Sequence, residues 1–328
     1  MLGIDVAKDT LSVALVHPVS RRLQWQAVLP NTPAGVRQLL RRTPCAIPWV
    51  LEPTGRYGLA VAKQAAAAQR QVLLAPPRKA KAFLASVQSR AKNDRLDSHG
   101  LALYGLSVPL RPYPIKSESV ERLDQLLAAR RGIAQALVSL GQQRAVLPYA
   151  AAALLPALKA LEAQRAALDE QIATLSADAQ AFPAMAALKA VPGIGPVTAA
   201  AVASCLKAKA FPHPDAFVAY IGLDVRVRDS GRHHGKRMLS KQGDAQLRRL
   251  LFLCARASLL SKRNPFKAQY DRELAKGLHK TAALNVIARK MARMCWSIAR
   301  HGTTFDPDRL YTQPATSQHL TPPLDNET

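Results

Sequence analysis

The chain has 328 residues, enough for two domains with separate cores, and its 48% hydrophobic content suits a globular protein. No apolar run reaches the length of a membrane span and no charged-then-apolar leader opens it, so the expectation is a cytoplasmic protein with no membrane partner. Forty-six Lys and Arg against 22 Asp and Glu give +24, more than solubility needs; the charge runs through patterned segments rather than a tail, which favours a nucleic-acid partner over a ribosomal or membrane-surface role.

Residues 2–7 (LGIDVA), 10–16 (TLSVALV) and 22–28 (RLQWQAV) read as three successive strands joined by short turns. Only four residues precede Asp5, so the first strand is expected to be clipped. A helix follows over 33–42, with Asn31 or Thr32 as cap and Pro33 in the first turn. A strand at 47–52, a helix at 57–69, a strand at 71–75 and basic helices at 78–90 and 94–106 complete this part. Three meandering strands followed by alternating helix and strand is the order of an RNase H-like fold. Over 117–180, Leu154, Leu158, Leu161, Leu168, Ile172 and Leu175 form a seam of four- and three-residue steps, interrupted by Arg165. Val120, Leu123, Leu127, Ala134 and Leu137 make a weaker stripe on the preceding helix, which Pro148 ends. Such helices form a hairpin, a coiled-coil arm, a dimer contact or two members of one bundle. From about 185 the chain reads as helical and basic, and from about 313 as a disordered polar tail. The fold class is therefore α/β plus all-α. Its expected parts are a catalytic domain over 1–110, a helical coiled-coil arm over 111–183, a helical domain over 184–305 and a tail over 306–328. Cys45, Cys205, Cys254 and Cys295 have no paired spacing, which fits reduced thiols.

Acids are scarce in the first 110 residues. Fifteen Lys and Arg share that stretch with Asp5, Asp9, Glu52, Asp94 and Asp97 alone. Asp5 interrupts an apolar strand, Glu52 closes the fourth strand, and Asp94 and Asp97 lie three apart on one helix face. In an RNase H-like sheet the first and fourth strands are neighbours and the last helix crosses them, so these four acids would converge. Four converged carboxylates repel and call for cations; oxygen ligands suit Mg²⁺ or Mn²⁺, and a pair of such ions serves phosphoryl transfer. Arg78, Lys79, Lys81, Arg90, Lys92 and Arg95 would hold a phosphate backbone nearby. The plainer alternative makes Asp94 a cap or first-turn acid and Asp97 its surface companion, while Asp9 reads as a turn residue.

Residues 188–204 (LKAVPGIGPVTAAAVAS) have the pattern of a helix-hairpin-helix, in which Gly193 and Gly195 turn the backbone so that amides at the next helix start bind a phosphate. A plain helical turn with glycine caps is the alternative. The run at 222–255 is dense in Arg, His and Lys around Ser230; Arg232, Lys236, Arg237 and Lys241 are the expected phosphate contacts. A serine in a Ser-Gly turn is usually structural, and Ser240 reads as a cap for a helix at 245–256. His233 and His234 are as readily surface residues as proton carriers.

Taken together, GIDVAK (3–8), LEPTGRYG (51–58), KNDRLD (92–97), VPGIGPVTA (191–199), YIGLDVRVRDSG (220–231) and LSKQGDAQLRRLL (239–251) resemble the DEDD-type insertion-sequence transposases, which include bridge-RNA-guided recombinases. Their order and spacing cover about the first 305 residues. The resemblance implies a RuvC-like nuclease fold with Asp5, Glu52, Asp94 and Asp97 as its acidic tetrad. It implies that Ser230 matches the nucleophilic serine of the C-terminal transposase domain, forming a phosphoserine ester with DNA while carboxylate-bound Mg²⁺ polarises the phosphate. It implies a dimer of dimers, donor and target DNA as substrates, a noncoding bridge RNA as guide, and association with the bacterial nucleoid when bound to DNA. Val225 stands where relatives often carry proline. Two rival readings remain: a stand-alone RuvC-like nuclease or junction resolvase, which needs the tetrad but not Ser230, and a non-catalytic nucleic-acid-binding protein, which needs neither.

Overall fold

The computed structural model describes residues 1–53, 55–87, 94–226, 229–230, 233–234, 238–260 and 264–308, with backbone alone for Arg56, Val87, 94–96, 229–230 and 233–234. The chain forms two compact units, Met1–Lys116 and Ser117–Thr328.

The first unit is built on a six-stranded sheet of order β3-β2-β1-β4-β5-β6, formed by β1 (Leu2–Val6), β2 (Thr10–Val16), β3 (Leu23–Pro30), β4 (Trp49–Leu51), β5 (Val72–Leu74) and β6 (Arg111–Pro112). The first three strands form an antiparallel meander, and β1 runs parallel to β4, and β4 to β5. Strand β1 pairs with β2 from Leu2 opposite Leu15 to Val6 opposite Leu11. The short strand β6 was not anticipated; two exposed residues carry no alternation to read. One face of the sheet buries Leu2, Ile4, Trp49 and Leu51 against Val36 and Leu39 of α1 (Pro33–Arg42) and Val61, Ala62 and Ala65 of α2 (Gly55–Ala67). The other buries Val50 and Leu73 against Ala80 of α3 (Pro77–Val87) and Leu101 and Tyr104 of α4 (Asp94–Ser107). Each fully buried aliphatic side chain contributes about 1.5–3 kcal/mol. Helix α1 starts as its sequence dictates: Thr32 accepts from the Gly35 amide at 3.2 Å and Pro33 opens the first turn.

The second unit begins with α5 (Glu118–Val146) and α6 (Ala151–Ser176), joined by a 3₁₀ turn at Pro148–Ala150. Arg130 donates a bidentate hydrogen bond to Asp169, and this pair, placed about equally far from the turn on each helix, holds the two antiparallel. The seam residues Leu154, Leu158, Leu161, Leu168 and Leu175 are half-buried, and Ile172 is buried. Only the base of the hairpin enters the main core, through Val120, Leu123 and Ile172, while Val146 and Tyr149 near the turn are largely exposed. The remaining helices are α7 (Met185–Lys189), α8 (Pro196–Ala208), α9 (Pro214–Tyr220), α10 (Ala245–Ser258), α11 (Lys267–Ala275) and α12 (Lys280–His301). Helix α12 is central, burying Ile287, Ala288, Met291, Ala292, Cys295 and Ile298.

Between α9 and α10 the wholly helical expectation is corrected. Among the described residues four two-residue strands lie there: β7 (Val225–Arg226) pairs with β10 (Met238–Leu239), and β8 (Asp229–Ser230) pairs with β9 (His233–His234), all antiparallel. Val225 carries the β-branched side chain that strands favour, but two residues give too short an alternation to read from sequence. All four cysteines are free thiols, and no single described helix is long and apolar enough to cross a membrane. The polar tail from 313 lies outside the described residues.

Candidate active site

Strand parity decides which face each carboxylate takes. On β1, Leu2 and Ile4 face α1 and α2, so Gly3 and Asp5 face α4. On β4, Trp49 and Leu51 face α1 and α2 while Val50 faces α4, and Glu52, one step beyond the strand, keeps the parity of Val50. The parallel register sets Ile4 beside Leu51, which puts Asp5 and Glu52 side by side at the carboxyl ends of adjacent strands. Helix α4 lies close on that face. A Cβ at Gly3 would stand 2.0 Å from the Ser98 carbonyl and 2.5 Å from the Ala102 amide, so only glycine lets the helix come this near. Asp97 immediately precedes Ser98 and is thereby carried to the same end.

Electrostatics registers the convergence. Glu52 is half-buried and its carboxyl is pushed above the ordinary carboxylate range, chiefly by loss of water and then by the negative charges of Asp5 and Asp97. Asp94 begins α4, one turn before Asp97 on the same helix face; its side chain lies outside the described residues. Among the described residues no three His, Cys, Asp or Glu side chains are arranged to ligate an ion. Asp9 is an exposed turn residue, as its position suggested. Arg78, Lys79 and Lys81 are exposed on α3, whereas Arg90 and Lys92, and the side chain of Arg95, lie outside the described residues.

In the second unit Ser230 stands in β8, opposite His233 in backbone register, with Asp229 opposite His234. Arg232, Lys236 and Arg237 lie outside the described residues; Lys241 is exposed in a left-handed conformation at φ 52°. Ser240 does not cap the following helix. Asp244 does, accepting from Gln246 and Leu247 at 2.9 and 3.0 Å, because the chain turns once more at Gly243 before the helix starts. Ser240 instead donates to the carboxylate of Asp224, a residue that sequence reasoning missed.

The segment at 188–204 forms the short α7, a turn and α8. Gly193 is needed twice over, for φ 89° and because a Cβ would lie 2.4 Å from the Cys254 carbonyl. Gly195 is not needed for the turn: at the start of α8 its φ is −83°, open to any residue, and a Cβ there would meet nothing within 4 Å.

Two stretches of the chain match known protein families. Residues 2–149 match a family model for transposases of the DEDD IS110 type, and residues 185–271 match the transposase IS116/IS110/IS902 family. The chain belongs to the DEDD-type insertion-sequence transposase family. A probable family 20 transposase of Pseudomonas aeruginosa is 35% identical over 196 residues, 56% of each chain. An uncharacterized 43.6 kDa protein of insertion element IS110 in Streptomyces coelicolor is 30% identical over 186 residues, 54% of this chain and 45% of the relative. The chain thus spans about half the length of these two relatives. A pilin gene-inverting protein of Moraxella bovis is 24% identical over 316 residues, 93% of this chain and 97% of the relative. The first family match encloses Asp5, Glu52, Asp94 and Asp97, and the second encloses Ser230 and the glycine turn.

Proposed function

We propose that this protein is a DNA transposase or recombinase that cuts and rejoins strands with a carboxylate-held divalent metal and a serine nucleophile. The observation that carries the reading is the convergence of Asp5, Glu52 and Asp97 on one face, expressed in the raised carboxyl of Glu52. Carboxylates held together against their own repulsion fit an oxygen-seeking cation by donor chemistry, and Asp94 would be the fourth ligand. Mg²⁺ or Mn²⁺ bound there would supply charge to a phosphate oxygen during transfer. Near full-length likeness to a gene-inverting protein supports rejoining as well as cutting.

In this reading the Ser230 hydroxyl attacks a backbone phosphorus, forming a phosphoserine ester and breaking one P–O bond to the neighbouring nucleotide. The serine proton passes to the expelled strand, which leaves as a free hydroxyl. Attack on the ester by a DNA hydroxyl restores the diester and returns the proton to Ser230, so bond energy is conserved without another reactant. Lys241, with Arg232, Lys236 and Arg237, would hold the phosphate backbone. The α8 start at Gly193–Gly195 would add amides in the manner of a helix-hairpin-helix. The α5–α6 arm suits a homo-oligomer, a dimer of dimers in which one subunit's tetrad meets another's serine, and a bridge RNA from the element's flanks would choose donor and target DNA.

The test is mass spectrometry of the 229–241 peptide after incubation with nicked duplex DNA from the element's flanks and RNA transcribed from them. A nucleotide adduct on Ser230, absent in Ser230→Ala while DNA and RNA binding persist, is expected. Normal cleavage with no adduct would favour the water-driven nuclease, and cleavage-free binding in the wild type would favour a non-catalytic binder.

A further inference from the structure

Among the described residues, little within the hairpin that carries Ser230 holds it. The strands described there are two residues long, and Val225 and Met238 on the outer pair are exposed, so among these residues neither ladder length nor burial fixes its place. The fixing contacts lie one residue beyond the ladder at each end. Asp224 precedes β7 and Ser240 follows β10. They are joined twice: the Ser240 amide donates to the Asp224 carbonyl at 2.9 Å, and the Ser240 hydroxyl donates to the Asp224 carboxylate.

Behind this link the backbone is locked to the helical body. The Lys241 amide donates to the Gly222 carbonyl at 3.2 Å, the Asp244 amide to Tyr220 at 3.0 Å, and the Arg248 guanidinium to Ile221 at 2.9 Å. Gly243 takes φ 137° with its α-carbon so close to Tyr220 that a Cβ would stand 2.0 Å from the carbonyl oxygen. On α12, burial and then Arg293 depress the Arg289 guanidinium, offset in part by the charges of Asp215 and Asp224, and its Nε is buried without a hydrogen-bond partner among the described residues.

We infer that Asp224, gripped by Ser240, is the positioning residue that sets the Ser230 hairpin for attack. The inference rests on the reading of Ser230 as nucleophile. In this role Asp224 acts through the backbone it holds and not on a reacting atom; it would fix the base from which the hairpin springs, so its loss should slow the chemical step without weakening the hold on DNA. A purely stabilising role would instead lower the melting temperature and leave the chemistry of the folded fraction unchanged.

The experiment measures the rate of covalent adduct formation against DNA concentration, with the nicked duplex and flank RNA as probes, together with hydrogen exchange at residues 225, 226, 238 and 239. Asp224→Ala and Ser240→Ala should each lower the maximal rate about tenfold, and leave the half-saturating DNA concentration within about twofold. The double variant should fall no further than the worse single, since the two act through one contact. Ser240→Thr, which keeps the hydroxyl, should recover the rate, and the four amides should exchange faster in the alanine variants only. If Asp224→Ala does not fold, Ser240→Ala and Asp224→Asn carry the same comparison. Wild-type rates in Ser240→Ala, additive losses, or unchanged exchange would overturn the inference. An absent adduct in the wild type strikes the nucleophile reading itself, which separates the two failures.

Discussion

In the first unit three carboxylates are carried by strands that pair on both sides and by a helix pressed against them, so their mutual position follows from the register of β1 with β4 and from the glycine contact under α4. In the second unit the serine rides on a two-residue strand tied down from outside by Asp224 and Ser240. Under the proposed function the difference suits two tasks. Metal ligands that endure repulsion would need a stiff frame, whereas a nucleophile that forms and breaks an ester would have to approach a phosphate and later release it. It also determines what the amino-acid order discloses. A sheet writes its geometry into the chain through period-two alternation; a tied-down hairpin writes only its turn.

The largest effects should come from the two sites themselves. Asp5→Ala, Glu52→Ala, Asp94→Ala and Asp97→Ala are each expected to bring strand cleavage below detection with Mg²⁺ or Mn²⁺ present. Circular dichroism should stay that of the folded protein, because removing a ligand takes away the charge that stabilises transfer. Ser230→Ala should equal them in recombination yet keep metal-dependent binding. Full cleavage by Asp94→Ala would break the tetrad assignment and with it the contrast between the two regions.

Gly3→Ala tests the frame without touching a ligand. A methyl group 2.0 Å from the Ser98 carbonyl forces α4 outward, an overpacking cost of roughly 1–3 kcal/mol, and Asp97 moves with the helix. The expected result is a lower melting temperature together with slower cleavage; an unchanged melting curve would show that the helix approach is softer than drawn.

Much of the first unit was legible. Scarcity of acids singled out Asp5, Asp9, Glu52, Asp94 and Asp97, and the period of the strands set Asp5 and Glu52 on one face of the sheet. The Thr32–Pro33 start of α1 followed from capping chemistry alone. The strands β7–β10 were not legible, since two residues of alternation carry too little signal within a basic helical stretch. Nor was Asp224, because a hydrogen bond across 16 residues leaves no local pattern, while Asp244 took the cap expected of Ser240 because the chain turns once more at Gly243 before α10 begins.

The raised carboxyl of Glu52 makes a pH prediction on the metal-free protein. A folded-state pKa above the unfolded one means the fold holds that proton more tightly. The contribution is fully present below the unfolded value and is lost as pH rises through the raised folded value. Stability of the metal-free wild type should therefore increase as pH falls from neutrality toward the carboxylate range, before general acid unfolding intervenes. Glu52→Gln should lack that component and be modestly more stable at neutral pH. Added Mg²⁺ should reverse the order, stabilising wild type more than Glu52→Gln. Identical pH curves for the two metal-free proteins would remove the repulsion from the argument.

The smallest effect sharpens the comparison most finely, because it separates folding from phosphate contact at a single turn. Gly193→Ala combines a left-handed φ with a 2.4 Å approach to the Cys254 carbonyl and should destabilise the second unit by about 1–3 kcal/mol. Gly195→Ala, at φ −83° with open space around its Cβ, should leave the stability within about 0.5 kcal/mol of wild type. If the start of α8 receives a phosphate, a methyl group standing in that open space still hinders the approach of DNA. Affinity for nicked duplex should then drop severalfold at constant stability, with about equal loss across unrelated sequences because the contact is to the backbone. Fluorescence anisotropy over a range of salt concentrations reads this directly. Unchanged affinity in Gly195→Ala would leave the turn as a structural cap fixed by Gly193, and would move phosphate binding in this unit to Lys241 and the cations around Ser230.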